Sequence, residues 1–323
     1  YLALMRGERE GLLRVKILTD EVHILSRFAK ILRVSGDTAS GKQLLEALQD
    51  SWRRLLAPGI ETDTRVELKS RSDADAAKIF AGNLRELLLS SPLGGKSILA
   101  IDPGVRTGCK CVAIADTGRF LQNETLYLSQ GNESKIQATQ LLIKLIDSYK
   151  PVAIAIGNGT YGRETESFVR DVVSKIDQQK QIHVVSVNES GASIYSASDV
   201  AREEFPKLDL TVRGAISIGR RLQDPLAELV KIEPKSIGVG QYQHDVSASM
   251  LDGKLHDVVE SCVNLVGVLL NTASSSLLGY VAGIGPSLAR KIVLFREQNG
   301  PFSNRLELNK VPGLGPKTYE QAA

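Results

Sequence analysis

The sequence predicts a multidomain protein that combines an α/β domain with all-α regions. Three observations support this fold class: apolar residues recur at helical spacing before residue 96, the period becomes that of strands at Ser97, and a glycine-rich motif occurs twice near the end. A length of 323 residues suits roughly two to three domains. We predict four segments: a helical region at 1–96, an α/β domain at 97–224, a connecting segment at 225–250 and a helical domain at 251–323.

Composition and charge exclude several classes of protein. The hydrophobic content of 42% and charged content of 24% are those of an ordinary globular chain. No apolar run reaches the ~18 residues of a membrane span, and no signal-peptide pattern opens the sequence. The net charge of +3 is too small to indicate nucleic-acid binding by itself. Because the first residue is Tyr1 and not Met, we expect the natural N-terminus to lie upstream.

The cysteines predict a reducing, cytoplasmic location. There are three of them, Cys109, Cys111 and Cys262, an odd number without the spacing of metal ligands. Cys109 and Cys111 alternate on a predicted strand and therefore point to the same face. We interpret both as small core residues.

The first part of the chain is predicted to be helical. The segment 42–56 has one apolar stripe at helical spacing, and Ala-Pro-Gly at 57–59 is expected to end that helix. A second helix is predicted over 73–89.

From Ser97 the pattern predicts three antiparallel strands, followed by helices that alternate with buried strands. This order requires a mixed sheet, because strands joined through a helix are parallel. The predicted strands are 97–102, 109–116, 120–128, 152–156 and 182–187, and the predicted helices between them are 135–149 and 164–176.

Four segments within this order resemble one family. They are Leu99–Gly108, Ala155–Thr160, Asn188–Ser198 and Arg220–Leu229. They resemble the Tex family of bacterial transcription accessory proteins, whose central YqgF-type domain has a ribonuclease-H-like fold related to Holliday-junction resolvases. The resemblance covers nearly the whole chain. It implies that full-length relatives carry a further helical domain before this segment and an S1 RNA-binding domain after it.

Asp102 and Glu189 are the candidate catalytic or metal-binding residues. Asp102 ends a buried apolar strand, where an ionised carboxylate needs a partner or a task, and Glu189 follows the fifth strand. Two-metal hydrolysis of phosphodiesters requires several converging carboxylates. The fourth strand ends without one at Gly157, and Arg213 stands where active YqgF-like relatives have an acid. We expect this cation to oppose metal binding, and Asp102 could instead stabilise the turn at Gly104 through backbone amides.

The repeated glycine motif predicts two helix-hairpin-helix elements that bind phosphate. Glycine permits close backbone approach, and the amides at the start of the following helix can hold an anion. Residues 281–323 contain six basic and three acidic residues. As an alternative, the hairpins serve only as scaffold, packing through Leu288, Ile292, Leu306 and Leu308. The predicted binding residues are Gly283, Gly285, Arg290, Lys291, Gly313, Gly315 and Lys317.

These observations predict a nucleic-acid-binding transcription accessory protein that contacts phosphates with little sequence specificity and needs no cofactor. Its ribonuclease-H-like domain is expected to be non-catalytic. A first rival is a structure-selective nuclease that uses Mg²⁺ held by Asp102 and Glu189. A second rival is a protein-interaction scaffold of the transcription machinery. No membrane association is expected under any of the three.

Overall fold

The computed structural model describes residues 1–176 and 181–322. The chain divides into two compact units. The first unit contains residues 1–80 and 240–251, and the second contains residues 81–239 and the chain from 252 onward. The segment boundaries given above stay a prediction. No helix within the described ranges combines the length and hydropathy that crossing a bilayer requires.

The first unit is built from helices. They are α1 (Leu2–Arg9), α2 (Glu21–Leu32), α3 (Ala39–Ser51) and the beginning of α4 (Ala57–Leu88). Asp20 caps α2 by accepting a hydrogen bond from the His23 amide, and Thr38 caps α3 in the same way. The returning segment is fixed to α1, because Asp245 accepts hydrogen bonds from Arg6 and Arg9.

The prediction that residues 57–59 end a helix was wrong. A π-helical turn at Trp52–Leu56 follows α3, and α4 continues through Pro58. The Ala57 amide donates to the Trp52 carbonyl, five residues back. This wider turn accommodates a proline, which offers no amide hydrogen and would clash with the carbonyl of an ordinary α-helical turn.

The second unit contains the predicted mixed sheet, in the order β3-β2-β1-β4-β5. The first three strands pair antiparallel, whereas β1 with β4 and β4 with β5 are parallel. The ribonuclease-H-like arrangement is thus confirmed, with strand ends that differ from the prediction by one or two residues. The strands are β1 (Ile98–Asp102), β2 (Cys109–Ile114), β3 (Phe120–Leu126), β4 (Ala153–Gly157) and β5 (His183–Val187).

Helices cover both faces of the sheet. Alternate residues of β1 enter two different cores: Leu99 and Ile101 pack with α5 and α6, and Ile98 and Ala100 pack with α9. Cys109 and Cys111 are fully buried on the α5 side, as predicted, and both are free thiols. The helices of this part are α5 (Asn132–Tyr149), α6 (Gly162–Lys175), α7 (Ala192–Ala197), α8 (Asp199–Glu204), α9 (Leu210–Gln223) and α10 (Pro225–Leu229).

The C-terminal part is helical and contains the two hairpins. The long helix of this part ends at Val266, because Gly267 adopts a left-handed conformation with φ 76° and closes the last turn. The remaining helices are α11 (Ala248–Val266), α12 (Ser275–Leu278), α13 (Pro286–Asn299) and α14 (Pro316–Ala322), with a 3₁₀ turn at Arg305–Lys310 before α14.

Candidate carboxylate site and nucleic-acid interface

The sheet brings Asp102 and Glu189 together. Asp102 is the last residue of β1, and Glu189 lies two residues beyond β5. Both strands run parallel to β4, so their carboxyl ends share one edge of the sheet. The two carboxylates interact electrostatically, and Glu189 Oε2 is buried without a protein partner among the described residues. The predicted pair is therefore present as a geometric site.

Burial and, to a smaller extent, the charge of Glu189 raise the pKa of Asp102 to about 6, and the charge of Lys110 opposes this shift. Lys110 faces Asp102 across the antiparallel pair of β1 and β2. Within the described residues the Asp102 carboxylate accepts no hydrogen bond, so the alternative in which it stabilises the Gly104 turn is wrong. Asp102 is instead a partly buried carboxylate held close to a second one.

Gly157 and Gly159 explain why no carboxylate ends the fourth strand. A Cβ atom at either position would overlap the carboxylate of Glu189. Asn158, between them, accepts a hydrogen bond from the Glu189 amide at 3.2 Å. The segment Gly157–Gly159 after β4 thus forms a cradle that holds the side chain and amide of Glu189. We did not predict this role from the sequence, although two glycines on either side of an asparagine indicate a backbone that another group approaches closely.

The structure shows the partners of Arg213, the residue that we expect to oppose metal binding. Its guanidinium is buried and donates to the carbonyls of Phe205 (3.1 Å) and Ser196 (3.4 Å). The next residue, Gly214, faces the site instead, since a Cβ there would lie 3.1 Å from Asp102 Oδ2. Gly214 therefore allows α9 to approach the carboxylate.

A second cation beside the site, besides Lys110, is Arg221, which we did not predict from the sequence. Its Nη1 donates to the carbonyls of Asn188 and Ser190, both at 2.8 Å, on either side of Glu189. Burial lowers the pKa of Arg221 to about 10, and the charges of Glu228 and Glu189 oppose that shift. The sequence signal was its position two helical turns after Gly214, which places both residues on one face of α9.

Several buried polar atoms occur at Arg221 and at residues near it in the chain. Its Nε and Nη2 atoms, Ser217 Oγ one turn earlier on α9 and Glu228 Oε1 are all buried without a protein partner in the described part of the chain. Unpaired buried polar atoms are uncommon in proteins. These atoms lie on α9 and α10, and Arg221 among them supplies a positive charge near Glu189.

The carboxylate pair offers ligand atoms of the kind that a hard cation prefers. Mg²⁺ is commonly bound by one or two carboxylates together with water, and the orphaned Oε2 of Glu189 is an available ligand atom. Two-metal hydrolysis needs additional ligands. Residues 1–176 and 181–322 contain no group of three or more His, Cys, Asp or Glu side chains that could hold a metal.

We expect Asp102→Asn to stabilise the protein at pH 7 by roughly 2 kcal/mol. The ionised Asp102 costs the folded state free energy above pH 6, because burial and Glu189 disfavour its charge. This cost fades as the pH falls towards about 4, where the carboxyl becomes protonated in both folded and unfolded chains. Urea unfolding at several pH values measures the difference. Equal stability of both proteins at pH 7 would contradict the assigned repulsion, and Asp116→Asn is an exposed-turn control.

The two hairpins have the same local geometry. Gly283 and Gly313 adopt left-handed conformations, with φ 78° and 94°. After each, the next amide turns back to a carbonyl: Ile284 donates to Val281 at 2.8 Å, and Leu314 to Val311 at 3.1 Å. The helices then start at prolines, as predicted. The repeated motif therefore forms a repeated structure.

The two hairpins contact each other reciprocally, the turn of each one meeting a helix of the other. A Cβ at Gly283 would lie 3.0 Å from Gln321 Cβ on α14, and one at Gly313 would lie 3.2 Å from Lys291 Nζ on α13. Gln321 holds in the second repeat the position that Lys291 holds in the first. Each turn thus contacts the second helix of the other hairpin, and the ammonium group of Lys291 lies at the second turn.

The remaining predicted binding residues are accessible. Arg290, Lys291 and Lys317 are exposed, as are Gly283, Gly285 and Gly313, and Gly315 is partly exposed. Of the residues proposed for scaffold packing, Ile292 and Leu308 are buried, whereas Leu306 is 67% exposed and does not pack as predicted. The hairpins therefore have a core of their own and leave Arg290, Lys291 and Lys317 exposed to solvent.

Comparison with known families identifies the architecture. The model described as "Tex protein YqgF-like domain" matches residues 96–223, "Tex central region-like" matches 1–80 and "Helix-hairpin-helix motif" matches 263–323. These matches define a multidomain chain in which a YqgF-like α/β domain is combined with a helical region and helix-hairpin-helix elements.

Curated relatives match over the whole chain. The uncharacterized protein YdcI of Bacillus subtilis is 48% identical over 99% of this chain and 44% of its own length. Transcriptional accessory protein Tex of Neisseria gonorrhoeae is 46% identical over 100% of this chain and 42% of its own length. S1 RNA-binding domain-containing protein 1 of Homo sapiens is 42% identical over 100% of this chain and 33% of its own length. The chain belongs to the Tex family, and it spans less than half the length of these relatives.

Proposed function

We propose that this chain binds the phosphate backbone of nucleic acids with little sequence preference, as part of a transcription accessory protein. The observation that carries the proposal is the pair of matching hairpin turns with Lys291 and Lys317 at the second of them. Cations and amides at a helix start hold phosphates without reading bases. The names of the relatives, a transcriptional accessory protein and an S1 RNA-binding protein, support the same class of function.

Fluorescence anisotropy with labelled RNA and DNA strands of different sequence tests this proposal. We expect similar affinities for strands of unrelated mixed sequence, because phosphates carry no sequence information. The logarithm of the affinity should fall linearly with the logarithm of the salt concentration, since binding releases counterions. Absence of binding at low salt, or affinity that does not respond to salt, would contradict the proposal.

We further propose that the YqgF-like domain is not a nuclease. The support is the short ligand set of Asp102 and Glu189, which suits one cation. In an assay with Mg²⁺ or Mn²⁺ on branched and single-stranded substrates, we expect no cleavage. Cleavage that is abolished by Asp102→Asn or Glu189→Gln would favour the rival hypothesis of a metal-dependent nuclease.

We also propose that the chain contacts proteins of the transcription machinery. The names of the relatives support such contacts, and unaltered nucleic-acid affinity after removal of the hairpin cations would favour the scaffold hypothesis. We place the activity in the cytoplasm. The three free cysteines support a reducing location.

A further inference from the structure

A groove lies beside the first hairpin, between it, α11 and α12. Its volume is about 640 Å³. His256 and Glu260, one turn apart on α11, form one wall, and Tyr280 and the segment Gly283–Pro286 form another. The groove is therefore continuous with the hairpin turn to which we assign phosphate binding.

The lining of this groove suits a flat aromatic ligand. The rings of His256 and Tyr280 have centroids 5.2 Å apart at an interplanar angle of 45°. Aromatic side chains of this kind stack with nucleobases in proteins that bind single strands. The groove thus offers an aromatic surface next to a turn with accessible backbone.

The wall of the groove that contains Glu260 favours a ligand with hydrogen-bond donors. Glu260 is an exposed carboxylate in its wall, and burial together with the charges of Glu233 and Asp252 raises the pKa of the Tyr280 phenol. A carboxylate accepts hydrogen bonds from exocyclic amino groups such as that of cytosine. A negative aromatic groove therefore matches the amino edge of a base.

Gly285 connects the groove to the hairpin. No heavy atom lies within 4 Å of the position that a Cβ would occupy there, so the backbone is open to a ligand. Among the described residues, neither the Gly285 amide nor the Ser287 amide in the first turn of α13 donates a hydrogen bond within the protein. A strand whose phosphate meets these amides would have a neighbouring base at the groove.

We propose that this groove is a nucleobase subsite, in which one base of a single strand stacks on Tyr280 and directs its exocyclic amino group to Glu260. The subsite rests on the proposed phosphate binding and adds base contacts to it.

The subsite is tested with the whole chain and two strands of equal length, an oligocytidine and an abasic strand with the same phosphates. Tyr280→Ala should weaken binding of oligocytidine about ten-fold and leave binding of the abasic strand unchanged. Tyr280→Phe retains the ring and should bind as the wild type does. Equal loss on both strands, or no loss on either, would overturn the stacking role.

Glu260→Ala provides an independent test, because alanine removes the acceptor from an exposed position. The wild type should bind oligocytidine more tightly than oligouridine, which lacks an exocyclic amino group, and Glu260→Ala should abolish this preference. Asp257→Ala, a neighbour on α11 that does not line the groove, should keep it. Absence of the preference in the wild type, or its persistence in Glu260→Ala, would overturn the amino-group contact.

The wild-type measurements distinguish the two proposals. Equal binding of oligocytidine and the abasic strand would overturn the subsite and leave phosphate binding standing. Binding of neither strand would overturn the proposed function and the subsite together.

Discussion

Replacing Gly219 by alanine should lower the free energy of unfolding by about 2–3 kcal/mol. Gly219 lies where α9 crosses the sheet, and a Cβ there would overlap Ile114 Cδ1 and lie 2.7 Å from Ala100 Cβ. The Ile114 side chain can rotate, but Ala100 on the central strand β1 has no freedom to withdraw. The helix α9 must therefore move away from the sheet. Gly214, which lies on the same helix, would then also move away from Asp102.

Gly82→Ala is the matched control for this substitution. Gly82 is also a helical glycine, in α4, and no heavy atom lies within 4 Å of its Cβ position. Alanine should raise stability there by roughly 0.5–1 kcal/mol, since it reduces the freedom of the unfolded chain. Urea unfolding followed by circular dichroism measures both variants. Unchanged stability of Gly219→Ala would show that α9 does not depend on this close approach.

Reversing the charge of Lys291 and Lys317 together should lower nucleic-acid affinity roughly 100-fold at moderate salt. Lys291 Nζ lies at the Gly313 turn and Lys317 is in the first turn of α14, so both cations belong to the second hairpin. Each lost phosphate contact should also reduce the slope of affinity against salt by about one. Anisotropy titrations at several salt concentrations give both quantities.

Lys135→Glu with Lys144→Glu is the control for charge. Both lysines are exposed on α5 of the sheet domain, and the double variant has the same net charge as the hairpin variant. It should retain most of the affinity. Equal losses in the two double variants would indicate a response to net charge alone and would contradict binding at the hairpins.

Much of the fold could be predicted because its signals are local. Alternation in β1, the glycine turns and the repeated hairpin motif each determine a backbone geometry from neighbouring residues. The meeting of Asp102 and Glu189 followed from one further step, since parallel strands end at the same edge of a sheet. The prediction that a helix ends at 57–59 was wrong, because a π-helical turn at Trp52–Leu56 accommodates Pro58 and such a turn has no clear sequence signal.

The orientation of α9 could not be predicted, because this helix is buried nearly all round. Its polar residues Arg213, Ser217, Arg221 and Gln223 are buried together with its apolar ones, so polarity does not distinguish the buried side chains from the exposed ones. Consecutive helical residues point in directions about 100° apart, which separates Arg213 from Gly214 completely. The roles of Gly214, Arg221 and the Gly157–Gly159 cradle emerge only when three distant segments are placed together.

The exchange of contacts between the hairpins has a consequence for how they can vary. A substitution at Lys291 alters the chemical surface of the turn at Gly313, while the turn at Gly283 takes its neighbour from Gln321. Neither repeat can be excised, transplanted or redesigned alone without changing the other. The two hairpins are therefore a single recognition element with unequal halves, a basic one at the second turn and a neutral one at the first.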